Sequence, residues 1–289
     1  MSVVELSLRS LGKALGTEVV GVDVSHPLDA ETLEWIERAF AEHPVLVFRN
    51  QRLGPAELAA FGGQFGRPQP HILEQYRHPD RADVSYITNV DKAGGIDRFG
   101  VTRASTWHTD ETYEDALPRL AILHALEVPS AKGGTLFADM RAAYDALPEP
   151  MQRRLQGLTG LHGRSNGPDG FKLYGEEYVR ASEKLRPERR HPAVKRHPVS
   201  GRSVLFVNPT HTHGFEGMTT DEGIRLIEEL RDHATQEQFV YYHSWRVGDV
   251  VMWDELATMH RGAGDARPEE HRVMLRTIVH PVWLSRERT

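Results

Sequence analysis

The 289-residue sequence contains no cysteine. This absence excludes disulfides, thiolate zinc sites, iron–sulfur clusters and cysteine nucleophiles. It suits a reducing compartment, so we expect a cytoplasmic protein. The chain shows no basic segment followed by an apolar one near its start, and no apolar run approaches membrane-spanning length. We therefore expect no membrane partner.

An excess of positive charge is also missing. The formal net charge is −6, with 35 Lys and Arg interspersed among 41 Asp and Glu. A nucleic-acid-binding surface needs clustered cations, so we expect no nucleic-acid partner. Histidine, by contrast, is frequent, with 16 residues in the chain. This count leaves a metal site open without pointing to any one side chain.

The pattern of apolar residues favours a mainly β fold with inserted helices. From about residue 84 onward, short strand-like segments alternate with Gly- and Pro-containing turns, as in antiparallel hairpins. Such a series predicts a double-stranded β-helix, that is, a cupin-like jelly roll. We expect residues 1–289 to form a single domain. The segment 162–193 is rich in Gly, Pro and charge, and we expect it to be a mobile insertion.

Two helices have clear start signals. Asp29 is a suitable N-cap for a helix over about 31–42, which has apolar residues on one face. Thr219 and Glu222 form a capping-box pattern before another helix. Between such helices, 45–48 is a short continuous apolar run and predicts a buried strand.

His108 and Asp110 are two residues apart. In an extended segment such side chains point to the same face. One imidazole and one carboxylate are two parts of the 2-His-1-carboxylate triad, which holds non-heme Fe(II) and leaves positions open for substrates and O2. The pair alone is weak evidence, because His-x-Asp is common. The alternative is a surface histidine beside a solvated aspartate.

A second histidine and a cation could complete such a site. His260 follows a strand-like segment and precedes a Gly-containing turn, and Arg272 lies in the next strand-like segment. If 2-oxoglutarate chelates the metal, its far carboxylate needs a cation, and Arg binds carboxylates bidentately. Thr135 could add a hydroxyl to the same carboxylate. Arg276, four residues after Arg272 and on the same strand face, suggests an anionic group on the substrate.

Each of these residues also has a simpler interpretation. Arg272 and Arg276 could form ordinary surface pairs with nearby glutamates. From the residues alone, His71 and Glu74 are solvated loop residues in a segment rich in Pro, Gly and Asp. His211 could contact a substrate or lie in a plain loop.

The order of these motifs resembles the TauD/TfdA family of Fe(II)/2-oxoglutarate-dependent dioxygenases over nearly the whole chain. The resemblance is carried by His108-Thr109-Asp110, Thr135, Trp253-Asp254, His260, Arg272 and Arg276. It implies that His108, Asp110 and His260 bind Fe(II). It also implies that Thr135 and Arg272 hold the C5 carboxylate of 2-oxoglutarate. The implied reaction uses O2, forms succinate and CO2, and hydroxylates a small anionic substrate such as a carboxylate or sulfonate, with or without cleavage.

The resemblance further implies that Arg276 pairs with the substrate anion and that His71 lies in the substrate pocket. The sequence departs from the taurine enzyme at Glu74, Ala104 and His211, which argues against taurine. The segment 210–217 is more similar to the 2,4-D (aryloxyalkanoate) branch. Within a substrate pocket, Glu74 would suit a cationic or hydroxylated group. Relatives are often dimers or tetramers, so we expect a homo-oligomer.

Two other functions use the same fold. A metal-dependent hydrolase or isomerase on a cupin-like barrel could use the three ligands to activate water. The Arg pair and Thr135 argue against it, because a hydrolase needs no fixed dicarboxylate site. A binding protein without turnover is the other alternative, and the intact ligand set speaks against it.

Overall fold

The computed structural model of the chain describes residues 5–71, 74–102 and 104–282. The helices in these ranges are α1 (Ala30–Glu42), α2 (Pro55–Gly63), α3 (Arg98–Thr102), α4 (Met140–Asp145), α5 (Glu149–Gln156), α6 (Pro168–Leu185) and α7 (Thr220–Ala234). Short 3-10 turns occupy Glu74–Tyr76 and Glu237–Phe239. Among these helices, none is both long and apolar enough to cross a membrane.

The strands outnumber the helices. They are β1 (Ser7–Ser10), β2 (Thr17–Val20), β3 (Val45–Phe48), β4 (Arg67–Gln69), β5 (Arg77–His78), β6 (Arg81–Thr88), β7 (Leu120–Glu127), β8 (Thr135–Asp139), β9 (Thr159–His162), β10 (Arg189–Pro192), β11 (Val194–Arg196), β12 (Ser203–Leu205), β13 (Thr212–Phe215), β14 (Val240–His243), β15 (Val250–Asp254), β16 (Thr258–Gly262) and β17 (Val273–His280).

Two facing sheets form the centre of the molecule. The large sheet has the order β1-β2-β3-β15-β7-β17-β6-β5, with β4 also paired to β17, and the small sheet has the order β14-β8-β16. Phe137 of the small sheet contacts Trp253 of the large sheet, with ring centroids 5.5 Å apart. Val47 and Leu123 belong to the same buried cluster. The fold is the expected mainly β jelly roll.

Helices cover the outer faces of both sheets. Ile36 of α1 and Phe61 of α2 pack against Phe48, on the side of the large sheet opposite the small one. α4 and α7 cover the small sheet in a second cluster that includes Met140 and Leu226. Since every strand residue of β3 is buried, the continuous apolar run of this strand reflects a sheet covered on both faces.

The predicted helix starts are confirmed. The side chain of Asp29 accepts a hydrogen bond from the N–H of Thr32 at the start of α1. Thr219 and Glu222 make both hydrogen bonds of a capping box at the start of α7. These contacts satisfy backbone donors that the first turn of a helix leaves free.

The segment 162–193 contains more regular structure than its composition suggested. It includes α6 and β10, and the helical path is interrupted at Gly175, where φ is 79°. A left-handed residue favours glycine, so this interruption hides the helical pattern in the sequence. An ion pair of 2.8 Å between Arg189 and Asp115 attaches the segment to the loop before β7. That the segment moves remains a prediction.

A fully buried histidine, His162, and a half-buried one, His191, lie on the sheet formed by β10, β9 and β13. Nδ1 of His162 is 3.1 Å from Oγ1 of Thr112, and Nε2 of His191 is 2.9 Å from the carbonyl oxygen of Thr112. Burial lowers the pKa of His162 well below its ordinary value and lowers the pKa of His191 to about 4. Both rings are therefore neutral in the folded chain near pH 6.

This arrangement predicts a loss of stability in mild acid. As the pH falls below the unfolded-state pKa of 6.5, the unfolded chain gains protons that the folded chain does not take up. The free energy of unfolding of the metal-free protein should then fall, by up to about 1.4 kcal/mol per pH unit for each such histidine. Urea unfolding between pH 7 and 5 measures this slope. A His162→Gln variant should show a shallower slope, and equal slopes would contradict the assignment.

Candidate active site

His108 and His260 are held together by their backbones. The N–H of His108 donates to the carbonyl of His260 at 3.0 Å, and the N–H of His260 donates back to the carbonyl of His108 at 2.8 Å. His260 lies on β16, where it pairs with Phe137 of β8. The imidazole centroids are 4.3 Å apart. The small sheet thus fixes the position of one ring relative to the other.

Asp110 completes a compact group with these two rings. One ligand atom from each of His108, Asp110 and His260 lies within 4.8 Å of the others. Nε2 of His108 is 3.6 Å from Oδ1 of Asp110. Between them, Thr109 turns to the other side, where its hydroxyl donates to the carbonyl of Thr258 at 2.9 Å. The two side chains share a face, as their spacing predicts.

The protonation of the two rings suits a metal. Nδ1 of His108 is 2.7 Å from the carbonyl oxygen of Thr106. A carbonyl only accepts, so this nitrogen carries the proton and Nε2 keeps its lone pair. Nδ1 of His260 is buried and has no hydrogen-bond partner in the described ranges. Burial lowers the pKa of His260 well below its ordinary value. Two neutral imidazoles and one carboxylate are the donor set that suits Fe(II).

The carboxylate of Asp110 remains charged. Its Oδ2 accepts a hydrogen bond of 2.8 Å from Nη1 of Arg276. Burial raises the pKa of Asp110, but the charge of Arg276 and the nearby histidines outweigh burial and hold this pKa below its ordinary value. Because Arg276 occupies Oδ2, Oδ1 is the oxygen that faces His108.

Glu255 supports Asp110 from behind. Its Oε2 accepts the backbone N–H of Asp110 at 2.9 Å, and its Oε1 accepts the indole N–H of Trp253 at 2.8 Å. Burial raises the pKa of Glu255 well above its ordinary value. Sequence reasoning missed this residue. Its position after Trp253-Asp254 was the available signal, but the contact to Asp110 spans 145 residues.

A small cavity of about 60 Å³ joins the two histidines to Thr135 and Arg272. Nη2 of Arg272 donates to Oγ1 of Thr135 at 3.3 Å. The indole N–H of Trp245 donates to the same hydroxyl at 2.9 Å. The structure therefore brings together a cation, a hydroxyl and the candidate metal ligands. Trp245 was missed in the sequence, although it continues the alternation of β14.

A second cavity of about 120 Å³ opens beside His108 and Asp110. Its walls include three predicted substrate residues, His71, His211 and Arg276. Glu74 is not among them. Its side chain is 82% exposed and pairs with Arg77 at 3.0 Å, so the structure does not bring it to the cavity wall, and its contact with a substrate remains a prediction. Glu74 lies in the 3-10 turn 74–76, which contains no buried residue.

His211 is held in one tautomer. The N–H of Ser165 donates to its Nδ1 at 3.0 Å, so the proton of the neutral ring is on Nε2. Burial lowers the pKa of His211 to about 3. Its neighbour His213 instead pairs with Glu188 at 3.1 Å. The cavity walls also contain residues that sequence reasoning missed, namely Phe99, Tyr113, Arg164, Tyr174 and Tyr178.

Comparison with known proteins agrees with this geometry. Residues 7–278 match the model of a family described as taurine catabolism dioxygenase TauD, TfdA family. The chain is 37% identical over 271 residues to the alpha-ketoglutarate-dependent 2,4-dichlorophenoxyacetate dioxygenase of Cupriavidus pinatubonensis, covering 91% of this chain and 92% of that protein. It is 32% identical over 281 residues to an alkylsulfatase of Acinetobacter baylyi, covering 94% and 84%.

A solved structure gives the same result. The crystal structure of AAD-2 in complex with Mn(II) and N-oxalylglycine superposes with a TM-score of 0.85 at 28% identity, covering 96% of this chain and 98% of that one. The similarity to a 2,4-D enzyme confirms the branch that segment 210–217 indicated. The family match spans nearly every element of both sheets. The chain therefore belongs to the TauD/TfdA family of dioxygenases.

Proposed function

We propose that the chain is an Fe(II)- and 2-oxoglutarate-dependent dioxygenase that hydroxylates a small anionic organic substrate, with or without cleavage, and forms succinate and CO2. One observation carries this proposal. The small cavity is lined both by His108 and His260 and by Thr135 and Arg272. A cosubstrate with two carboxylates is the ligand that such a cavity suits, since one end needs a metal and the other a cation.

The three candidate ligands would form the metal site, and their neighbours orient them. His108, Asp110 and His260 would hold Fe(II), which supplies the oxidative chemistry together with O2 and 2-oxoglutarate. The Thr106 carbonyl keeps the proton of His108 on Nδ1, so that Nε2 is available. Arg276 and Glu255 orient Asp110 from two sides, through its carboxylate and its backbone N–H.

The cosubstrate end depends on Arg272. Its guanidinium would pair with the C5 carboxylate of 2-oxoglutarate, and Thr135 would contribute its hydroxyl. Trp245 fixes that hydroxyl, and the Arg272 guanidinium lies 5.8 Å from its ring centroid. The indole therefore excludes water from one side of the ion pair and strengthens it.

The substrate would occupy the larger cavity. Arg276 supplies positive charge close to the metal ligands, and His71 and His211 line the walls. The Nε2–H of His211 is a donor with a fixed tautomer, suited to an anionic or ether oxygen. The relatives named for 2,4-dichlorophenoxyacetate and for alkyl sulfates support a carboxylate, sulfonate or sulfate ester as the substrate.

A metal-dependent hydrolase or isomerase is less well supported. It would use the same three ligands, but it gives no role to a half-buried guanidinium and a buried hydroxyl in the same cavity as the metal. The remaining expectations are also part of the proposal. We propose a cytoplasmic protein that forms a homo-oligomer, either a dimer or a tetramer, and that folds as a single domain over 1–289.

Removing one ligand should abolish turnover. His108→Ala should reduce succinate formation from 2-oxoglutarate by more than about 100-fold, since changes in the outer partners of metal ligands alone cost 10–100-fold. The measurement is succinate released with Fe(II), O2 and 2,4-dichlorophenoxyacetate as the probe substrate. His213→Ala is the matched control, because His213 pairs with Glu188 and does not line the cavity. Full turnover in His108→Ala would contradict the ligand assignment.

Substitutions of Arg272 and Arg276 should have different kinetic effects. Arg272→Ala should raise the KM for 2-oxoglutarate by about tenfold or more, because a charged hydrogen bond contributes about 1.5–3 kcal/mol. Arg272→Lys should recover part of this loss. Arg276→Ala should instead uncouple 2-oxoglutarate consumption from substrate oxidation. Steady-state kinetics at varied 2-oxoglutarate separates the two effects, and an unchanged KM in Arg272→Ala would place the cation elsewhere.

A further inference from the structure

A third cavity lies on the far side of the metal-ligand segment. It has a volume of about 340 Å³, larger than the two cavities of the active site. We call it the α1–β11 cavity, because α1 forms one wall and β11 another. Its lining includes the apolar side chains Phe40, Leu117, Val199, Phe206 and Leu256. Among the described lining residues, Asp110 is the one that it shares with the 120 Å³ cavity beside His108.

One cation on the cavity wall, Lys195, makes no ion pair with the residues that the structure describes. Nζ of Lys195 lies 4.9 Å from the ring centroid of Phe206. Burial lowers the pKa of this ammonium, and no carboxylate in the described ranges acts against that shift. A half-buried ammonium over an aromatic ring has lost part of its hydration without gaining an ion pair. It would therefore favour an anion in the cavity.

The other ionisable groups on these walls have partners within the described ranges, and those of Asp110, Glu255 and His191 are given above. Arg119 pairs with Glu37 and also donates to the carbonyl of Phe65 at 2.7 Å. His197 is 2.9 Å from Oδ2 of Asp254. The pairing of Asp115 with Arg189 was described above. Lys195 is thus the group on these walls whose charge a ligand would complement.

We propose that the α1–β11 cavity is an accessory binding site for an organic anion, in which Lys195 pairs with a carboxylate or sulfonate and the apolar walls hold an alkyl or aryl body. The size matches the range in which proteins bind small molecules. The walls offer both an apolar lining and one convergent cation, which is the combination that such a ligand requires.

The position of this site gives it access to the catalytic centre. Glu255 lines the cavity and also accepts the backbone N–H of Asp110 at 2.9 Å. Thr109, next to Asp110, lines the same cavity, and its side chain points away from the metal ligands. A bound anion would therefore contact the segment that carries two of the three ligands.

The probe for this site is 8-anilinonaphthalene-1-sulfonate, an anion with an aromatic body that fluoresces in apolar surroundings. It is titrated into the full chain and into Lys195→Met, Lys195→Arg and Arg164→Met variants whose folding is checked by circular dichroism. Lys195→Met keeps the length of the side chain and removes its charge. Arg164→Met removes a cation from the 120 Å³ cavity beside His108 and controls for binding of the probe there.

We expect a saturable binding component that weakens by about tenfold or more in Lys195→Met, is retained in Lys195→Arg and is unchanged in Arg164→Met. Val199→Glu is a second test, because this rim residue is 55% exposed and the change adds a negative charge without disturbing the core. It should also weaken the component. Binding that persists in both Lys195→Met and Val199→Glu would overturn the proposal. Absence of saturable binding, or its loss in Arg164→Met alone, would overturn it as well.

Discussion

The two backbone hydrogen bonds between His108 and His260 are the contact on which the site depends. His260 belongs to a strand of the small sheet, whereas His108 lies in the segment that leads to β7 of the large sheet. Their reciprocal bonds join the two sheets at one end of the barrel. Because a backbone bridge sets both the distance and the direction of the side chains, the rings meet without depending on side-chain contacts alone.

Charge is distributed around this bridge so that each buried group has a role. Asp110 stays an anion because Arg276 lies against one of its oxygens. Glu255 has no cation in hydrogen-bond contact among the described residues; burial raises its pKa, and it accepts hydrogen bonds from Asp110 and Trp253. Two carboxyl groups so close together would repel each other if both were charged. Their different surroundings separate the two pKa values, so Asp110, the candidate metal ligand, keeps its negative charge.

Much of the site was predictable because its residues occur in a recognisable order. The His108-x-Asp110 spacing places two side chains on one face by backbone geometry alone, and the capping patterns at Asp29 and Thr219 are local. Contacts across the fold were not predictable. Glu255 and Trp245 act on residues far away in the chain, and no local pattern indicates this. The exposure of Glu74 was not predictable either, because no local pattern shows which way a side chain in a short 3-10 turn points.

The central claim is that the metal ligands and the Arg272 cation serve one bidentate cosubstrate. Visible absorption of the protein with Fe(II) and 2-oxoglutarate, recorded without oxygen, tests it most directly and needs no knowledge of the substrate. We expect a weak lilac charge-transfer band that appears only when both components are present. Absence of the band, in protein shown to bind the metal tightly, would contradict the claim and favour a hydrolytic or isomerising function.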